Sequence, residues 1–400
     1  MSSRIKDGYN KALWNNLDEF TKPNGKIDID KHGMRTFIPR DLPPSVTYDH
    51  EVVMLLAKAE RKVGELVGKG SEMENLHTLI RTYLKKEAVL SSKIEGTLAS
   101  LNDLNKQEAV GNISKKDVEN LRLREVINYV HALEKSLTAL QNSKRRVGLN
   151  MLKEAHKELM QGVRGHDKNP GEFRDQQNWI IKIRGSKREI VYTPPSPETI
   201  SALLENLEEF FQTDYKHLSV LIQCAVMHYQ FEAIHPFLDG NGRIGRLMLP
   251  LILYEKGILP VPLLYMSSYF DKHREQYYGG LLEVSQKSNW RDWIKFFLTA
   301  FIEQASEAID NIQNLATLMR KYKVLLRKKN TSSNVILLME HLFANPYITI
   351  PKAMQFLSIT YPSAKNAVMM LVEADILKQT DIRYKSKVFV AEEIEEAINA

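Results

Sequence analysis

The chain has 400 residues, 43% apolar and 26% charged, with 55 Lys and Arg against 49 Asp and Glu (net charge +6) and a single cysteine, Cys224. This composition excludes a disordered chain, and one cysteine excludes a disulfide framework or a cysteine-based zinc site within the chain; the basic surplus describes a mixed surface rather than a polycation. The longest apolar run, Leu247 to Tyr254, is interrupted by Pro250 and is too short to span a bilayer, and the first seven residues lack the apolar core of a signal peptide, so a reducing cytoplasm is the expected compartment.

Residues 1 to about 47 read as an extended arm with little structure of its own, Pro-rich at Ile38-Pro-Arg-Asp-Leu-Pro-Pro44. From Tyr48 to Val67 apolar residues recur at helical spacing (Val52, Leu55, Leu56, Ala59, Val63, Leu66), and Gly68 is the expected stop. A second helix is expected from Glu72 to about Ser91, ending in Ser91-Ser-Lys-Ile-Glu-Gly-Thr97, and further helices over 117–141, 150–162 and 197–212. Between the last two, the β-like runs Gly171 to Ile183 and Arg188 to Pro195 flank Arg184-Gly-Ser-Lys187 and predict a hairpin. Leu218 to Ile234 and Ile244 to Glu255 read as two buried helices, with Cys224 a small core residue of the first. The aromatic stretches Leu264 to Tyr278 and Trp290 to Leu298 are also helical in pattern. The densest basic run, Arg320 to Lys329, reads as a solvated linker helix. The last 70 residues are separate: helices from Asn334 to Phe343, from Ile350 and from Tyr361 to Glu373, then an alternating tail, Ile376 to Val390, like a small β-wing.

Chemistry concentrates in His235-Pro-Phe-Leu-Asp-Gly-Asn-Gly-Arg-Ile-Gly-Arg246, the segment between the two buried helices. His235 is a titratable base, Asp239 a carboxylate able to hold a cation, and Gly240-Asn241-Gly242 a turn whose amides can meet an anion at a helix N-terminus. Arg243 and Arg246 stand about one turn apart, so both guanidiniums can reach one phosphate chain. Phe237 reads as the anchor of the loop.

This segment resembles the signature of the Fic (filamentation induced by cAMP) family, H-P-F-x-[D/E]-G-N-G-R-x-x-R, at every specified position, and the resemblance extends over roughly residues 40 to 305. It implies a mainly α fold, a Fic-type helical core with a small β-hairpin flap. It also implies a protein adenylyltransferase that moves AMP from Mg-ATP to a Ser, Thr or Tyr hydroxyl of a target protein, itself included. By resemblance His235 is the general base and Asp239 the Mg²⁺ ligand. Gly240, Asn241 and Gly242 then form the anion hole, Arg243 meets the phosphate chain and Arg246 the γ-phosphate. Either Tyr277 or Tyr278 flanks the adenine or packs between helices.

Ser91-Ser-Lys-Ile-Glu-Gly96 is similar to the family's inhibitory pattern, [S/T]-x-x-x-E-[G/N]. The pattern implies that Glu95 pairs with Arg246 in the place of the γ-phosphate, with Ser91 and Gly96 as its other members. The 171–195 hairpin resembles the flap that holds a target segment by strand pairing. The C-terminal helices and wing resemble a winged helix-turn-helix. Its third helix exposes Lys365 and Asn366 but no Arg, and the module ends in acidic Glu392 to Glu396, so DNA is a partner the pattern allows but does not favour, and a protein-docking or homo-oligomer role stands at least equal to it. The division expected is 1–115, N-terminal arm and helices with the inhibitory motif; 116–305, catalytic core; 306–330, linker helix; 331–400, winged-helix-like module. Two readings stand beside AMP transfer: removal of AMP by the same site, with Glu95 orienting water, and a DNA-binding regulator whose Fic-like domain senses nucleotide.

Overall fold

A computed structural model describes residues 20–399 except 32, 73–75, 112–117, 143–144, 185–186 and 382–385. The described residues form fifteen helices and three small antiparallel sheets. The first nineteen residues of the expected arm, the turn at 185–186 and the wing tip at 382–385 lie outside them.

The centre of the core is α7 (Val220–Ile234), whose residues Leu221 to Ile234 are all buried. A helix apolar on every face has to be wrapped by other elements. It is wrapped by α6 (Ile200–Gln212), α8 (Asn241–Glu255), α10 (Arg274–Lys287) and the long α11 (Trp290–Lys328), with the short α9 (Ser267–Lys272) between α8 and α10 in the chain. Two polar side chains inside this package are paired across helices. His228 on α7 donates Nδ1–H to the carbonyl of Gly245 on α8 (3.1 Å) and accepts from the Tyr277 hydroxyl on α10 at Nε2 (2.8 Å). Trp293 on α11 donates to the carbonyl of Ala225 (2.9 Å). Cys224 is fully buried, and burial pushes its thiol far up, as a small core residue requires.

The N-terminal helices are α1 (His50–Ser71), α2 (Leu76–Ile94), α3 (Leu101–Val110) and α4 (Val118–Asn142), followed by α5 (Leu149–Leu159). α1 starts where Asp49 accepts from the Val52 amide and lies along α11, with Arg291 pairing to Asp49 and Glu51. It passes through Gly68, the expected stop, and ends at Ser71. Nothing crowds Gly68, and its carbonyl accepts from the Glu72 amide, so the helical bond pattern outweighs the glycine penalty there.

Two further expectations change. Part of the N-terminal arm is a hairpin, β1 (Gly25–Ile29) with β2 (Arg35–Pro39). It is held by distant partners: the Phe37 amide donates to the Thr193 carbonyl (3.0 Å), Asn24 to Ser285 (3.1 Å), and Trp290 to the Asn24 side chain (3.2 Å). The linker helix is the second half of α11, which runs unbroken from Trp290, so the 305/306 boundary falls inside one helix. Its basic side chains Arg320, Lys321, Arg327, Lys328 and Lys329 are exposed, as a solvated face requires, while Tyr322 and Leu326 between them are buried and Lys321 pairs with Glu393 (2.6 Å).

The expected hairpin is present as β3 (Ile180–Arg184) and β4 (Lys187–Tyr192), with a bulge between Ile180 and Ile181. Beyond α11 come α12 (Ser333–His341), α13 (Ile350–Leu357) and α14 (Tyr361–Glu373). Beside them lies a sheet of order β5-β7-β6 from Tyr347–Thr349, Val388–Val390 and Lys378–Gln379. The acidic end is a further helix, α15 (Glu392–Asn399), whose Ile394 and Ile398 are buried.

This C-terminal unit is latched to the N-terminal helices through a buried lysine. Lys85 on α2 is 0% exposed and donates to Asn105 (2.9 Å) and Glu108 (2.6 Å) on α3 and to the Ala344 carbonyl (3.2 Å). Thr82, one turn earlier, donates to the Phe343 carbonyl (2.9 Å). Glu108 keeps Arg81 and Asn345, but removing Lys85 takes a charged donor from the buried Asn105 side chain and the Ala344 carbonyl, so Lys85→Ala should lower the unfolding free energy by about 2 kcal/mol. Urea midpoints of the two proteins check this, and equal midpoints would contradict it.

Candidate active site

His235 ends α7 in the left-handed conformation (φ 51°), its amide still donating to Phe231 (2.9 Å). The chain then loops over Pro236 to Asp239 and enters α8 at Gly240 (φ 79°), where an added Cβ would meet the Met160 sulfur at 3.1 Å and His156 at 3.4 Å. Glycine is therefore needed there both for the backbone and for space.

The loop is held from inside by backbone-directed side chains. Asn241 closes it on itself, accepting from the Phe237 amide and donating to the Phe237 carbonyl, both at 2.8 Å. Asn178, just before β3, donates to the carbonyls of Phe237 (2.8 Å) and His235 (3.2 Å). Arg174, 3% exposed, donates to the carbonyls of His235 (2.9 Å) and Pro195 (2.6 Å). His156 on α5 accepts from the Gly171 amide at Nδ1 (2.8 Å), so Nε2 carries the proton and donates to the Asp239 carbonyl (3.0 Å). Its ring stacks on Phe237 at 3.9 Å. Phe237 is thus the anchor expected of it.

On this frame the polar groups take defined states. The Nδ1 of His235 lies 3.3 Å from the carbonyl of Glu232; a carbonyl only accepts, so Nδ1 holds the proton and Nε2 keeps its lone pair. Burial, helped by the nearby Arg174, pushes the imidazole down to about 4, so His235 is a neutral base around pH 7. Asp239 is one-third exposed, accepts from the Gly240 amide (2.7 Å) and lies 3.7 Å from Arg243.

The amides of Asn241, Gly242 and Arg243 form the first turn of α8, where helix geometry supplies no carbonyl partner. Beside them Arg243 is 2% exposed, with Nε and Nη1 lacking any hydrogen-bond partner among the described residues and a 3.6 Å contact to the Met160 sulfur at Nη2. Unpaired amides and an under-satisfied guanidinium together make a receptor for an anion.

Arg246 contrasts with it. It is 1% exposed and donates from Nε to the Ser91 hydroxyl (2.9 Å) and from Nη2 to the Ser91 carbonyl (3.0 Å) and to the Glu95 carboxylate (2.7 Å). Burial raises the Glu95 carboxyl, and the Arg246 guanidinium more than offsets this, leaving it below the usual carboxylate value. An added Cβ on Gly242 would sit 2.3 Å from Glu95 Oε1, so the carboxylate lies directly against the first turn of α8. Gly96, the last member of the motif, takes φ 88° just after the turn.

Most of the expected site residues come together. Tyr277 is placed differently: it is 1% exposed, bonded to His228 and stacked on Phe270 at 4.6 Å, hence a core residue with no open face. Tyr278 is the exposed member of the pair, with the Arg274 guanidinium over its ring. Sequence reading missed His156, Arg174, Asn178 and Glu232. For His156 a signal existed, a histidine on the apolar face of Met151, Leu152, Ala155 and Leu159.

The neutral state of His156 makes a pH prediction. Burial holds it at about 4 against about 6.5 in an unfolded chain, so the unfolded state takes up the proton first as pH falls. The stability that depends on neutral His156 is present above pH 6.5 and is lost as pH falls toward 4. His156→Gln should flatten part of that decline in denaturation midpoints measured from pH 7 to 5; an unchanged slope would remove His156 from it.

Residues 146–253 match the model of the Fic/DOC family, and residues 53–138 that of the Fic/DOC family N-terminal region. The chain is 26% identical over 211 residues to a probable protein adenylyltransferase of Aquifex aeolicus, covering 52% of this chain and 59% of that protein. It is 29% identical over 142 residues to the protein adenylyltransferase Fic of Drosophila willistoni, covering 35% and 25%. The chain therefore spans about three fifths of the first relative's length and a quarter of the second's. Among solved structures, a Fic family protein from Desulfovibrio desulfuricans superposes with a TM-score of 0.55 at 20% identity over 87% of this chain and 98% of that one. Residues 134–508 of Fic-1 from C. elegans superpose with 0.52 at 22% identity over 67% and 74%. At these identities the likeness shows the fold.

Proposed function

We propose that this chain, which carries the two domains of a Fic/DOC family protein, is a protein adenylyltransferase that transfers AMP from ATP to a Ser, Thr or Tyr hydroxyl and is held in check by Glu95. The observation that carries the reading is Arg243, buried and short of acceptors beside the unpaired first-turn amides of α8, with the neutral base His235 at the other end of the same loop. Adenylyltransferase is also what the Aquifex and Drosophila relatives are named.

In this reading Asn241, Gly242 and Arg243 receive the phosphate chain and place the α-phosphorus before the acceptor hydroxyl. The hydroxyl proton passes to Nε2 of His235 as its oxygen bonds to the α-phosphorus. The bond from that phosphorus to the oxygen bridging to the β-phosphate breaks, and pyrophosphate leaves. Asp239 offers one partly exposed carboxylate, and no cluster of three or more His, Cys, Asp or Glu exists among the described residues. That donor set fits Mg²⁺, which keeps water and phosphate oxygens as its other ligands and, when bound, neutralises phosphate charge.

Glu95 fits the role of a stand-in for phosphate, since its carboxylate pairs with Arg246 and touches Gly242. The target segment is assigned to the β3–β4 hairpin by strand addition. The hairpin is tied beside the base, because Tyr192 donates to the Ala233 carbonyl (2.9 Å). We assign residues 331–400 as a winged-helix-like module that docks protein rather than DNA, since its helix α14 exposes Lys365 and Asn366 but no Arg and helix α15 is acidic. No described helix is long and apolar enough to cross a membrane.

Incubation with Mg²⁺ and ATP labelled at the α-phosphate tests the reading in wild type, Glu95→Gly and the double variant Glu95→Gly/His235→Ala. Label should enter protein at least about tenfold faster in Glu95→Gly than in wild type, and the double variant should lose transfer while still binding ATP. Equal labelling of wild type and Glu95→Gly would sink the inhibitory assignment, and labelling by the double variant would remove His235 as base.

A further inference from the structure

Glu232 sits one turn before His235 on α7, and its side chain is 9% exposed. Its Oε2 lies 4.0 Å from Nδ1 of His235, beside the backbone carbonyl that accepts the Nδ1 proton. Its Oε1 has no hydrogen-bond partner among the described residues. The carboxyl has a seat only because residue 245 is glycine: a Cβ there would lie 2.3 Å from Oε1. Around it stand Arg246 of α8, Glu95 just beyond α2, Tyr277 and Tyr278 of α10, and His228 of α7, whose Cε1 borders the same Gly245 position. The one cation among these, Arg246, is already bonded to Ser91 and Glu95. A buried carboxyl without a donor calls for an explanation.

Building on the AMP-transfer reading, we propose that Glu232 is a positioning residue that acts through His235: its carboxylate stabilises the imidazolium created when Nε2 takes the acceptor's proton. The balance is simple. The hydroxyl proton goes to Nε2, Nδ1 keeps its own, the ring gains one positive charge, and no proton need move to Glu232. The proton on Nε2 is later released to solvent. A largely buried anion 4.0 Å from the ring favours the charged ring most when the charge appears, which is in turnover and not at rest.

The sign of the pH effect follows. Burial pushes the Glu232 carboxyl up to about 8, with Glu95 adding to the rise and Arg246 opposing it. The group is protonated and idle below that pH and becomes anionic as pH rises. In Glu95→Gly the contribution of Glu95 is gone, so the ionisation moves to lower pH.

Two readouts on the full chain test this. The first is the pH profile of AMP transfer by Glu95→Gly and by Glu95→Gly/Glu232→Gln. The parent should show a rising limb above that of His235; the Gln variant should lack it and lose about tenfold in kcat, with KM for ATP within about twofold. The second is the side-chain ¹⁵N spectrum of His235 in wild type and Glu232→Gln without nucleotide. The ring signals should step near pH 8 in wild type and not in the variant. Superimposable kcat profiles, or a wild-type spectrum with no such step, would overturn the proposal. Absence of transfer by Glu95→Gly at every pH would instead count against the adenylyltransferase reading, and the spectra would still decide whether Glu232 and His235 are coupled.

Discussion

A guanidinium taken out of water needs acceptors wherever it goes, and the whole site is arranged around how Arg243 and Arg246 meet that demand. Arg246 is fully supplied: Ser91 gives it a hydroxyl and a carbonyl, and Glu95 a carboxylate. Arg243, three residues earlier on the same helix, has only a sulfur and carboxylates at 3.7 and 4.0 Å. One arginine is satisfied by the protein and the other is left for a ligand. The difference bears on the inhibitory role proposed for Glu95. Two of the three bonds to Arg246 come from Ser91 and persist when the carboxylate swings away, so the guanidinium is not abandoned in the core. Glu95, one-third exposed, has a path to water that Arg246 lacks.

The loop between α7 and α8 carries the second constraint. It must expose a base, a carboxylate and helix-end amides while burying Phe237, so its own carbonyls turn inward. Those of His235, Phe237 and Asp239 are met by side chains: Arg174 and Asn178 from the segment leading to β3, Asn241 from the helix it starts, His156 from α5. The residues that hold the loop therefore also fix the hairpin beside it. A displacement of β3 would be felt at the His235 carbonyl through Asn178 and Arg174.

What was legible in the sequence follows from distance along the chain. His235, Asp239, the Gly-Asn-Gly turn and both arginines lie within twelve residues, so their order alone fixed their relation, and Ser91 and Glu95 could be added as a local pattern. The helices and the β3–β4 hairpin were readable from periodicity, and α11 could have been read as one helix, since 290–328 contains neither Gly nor Pro. Arg174 and Asn178 were not readable, and His156 offered only its place on an apolar helix face and not its partner, because each meets the loop from 57 to 83 residues away. The β1–β2 hairpin failed for the same reason: its anchors, Thr193, Ser285 and Trp290, are more than 150 residues downstream. Tyr277 and Tyr278 show another limit. Adjacent helical residues point about 100° apart, and only the surrounding helices decide which ring is enclosed.

Helix α2 connects these levels. At its middle Thr82 and Lys85 are bound to α3 and to the loop at 343–344; at its end Ser91, and Glu95 just beyond it, reach Arg246. The helix thus makes two buried cation contacts, one in which it supplies the charge and one in which it and the turn after it supply the acceptors. A helix held this way has little freedom to slide or rotate, so Glu95 meets Arg246 in a fixed register with no need for a strong pair of its own. The placement of the carboxylate is thus a property of the packing of α2, whereas the turn that carries it lies after Ile94, at the left-handed Gly96, where an added Cβ would meet nothing. In the proposed inhibitory role, rigid presentation by the helix and release at the turn that follows it are therefore separable.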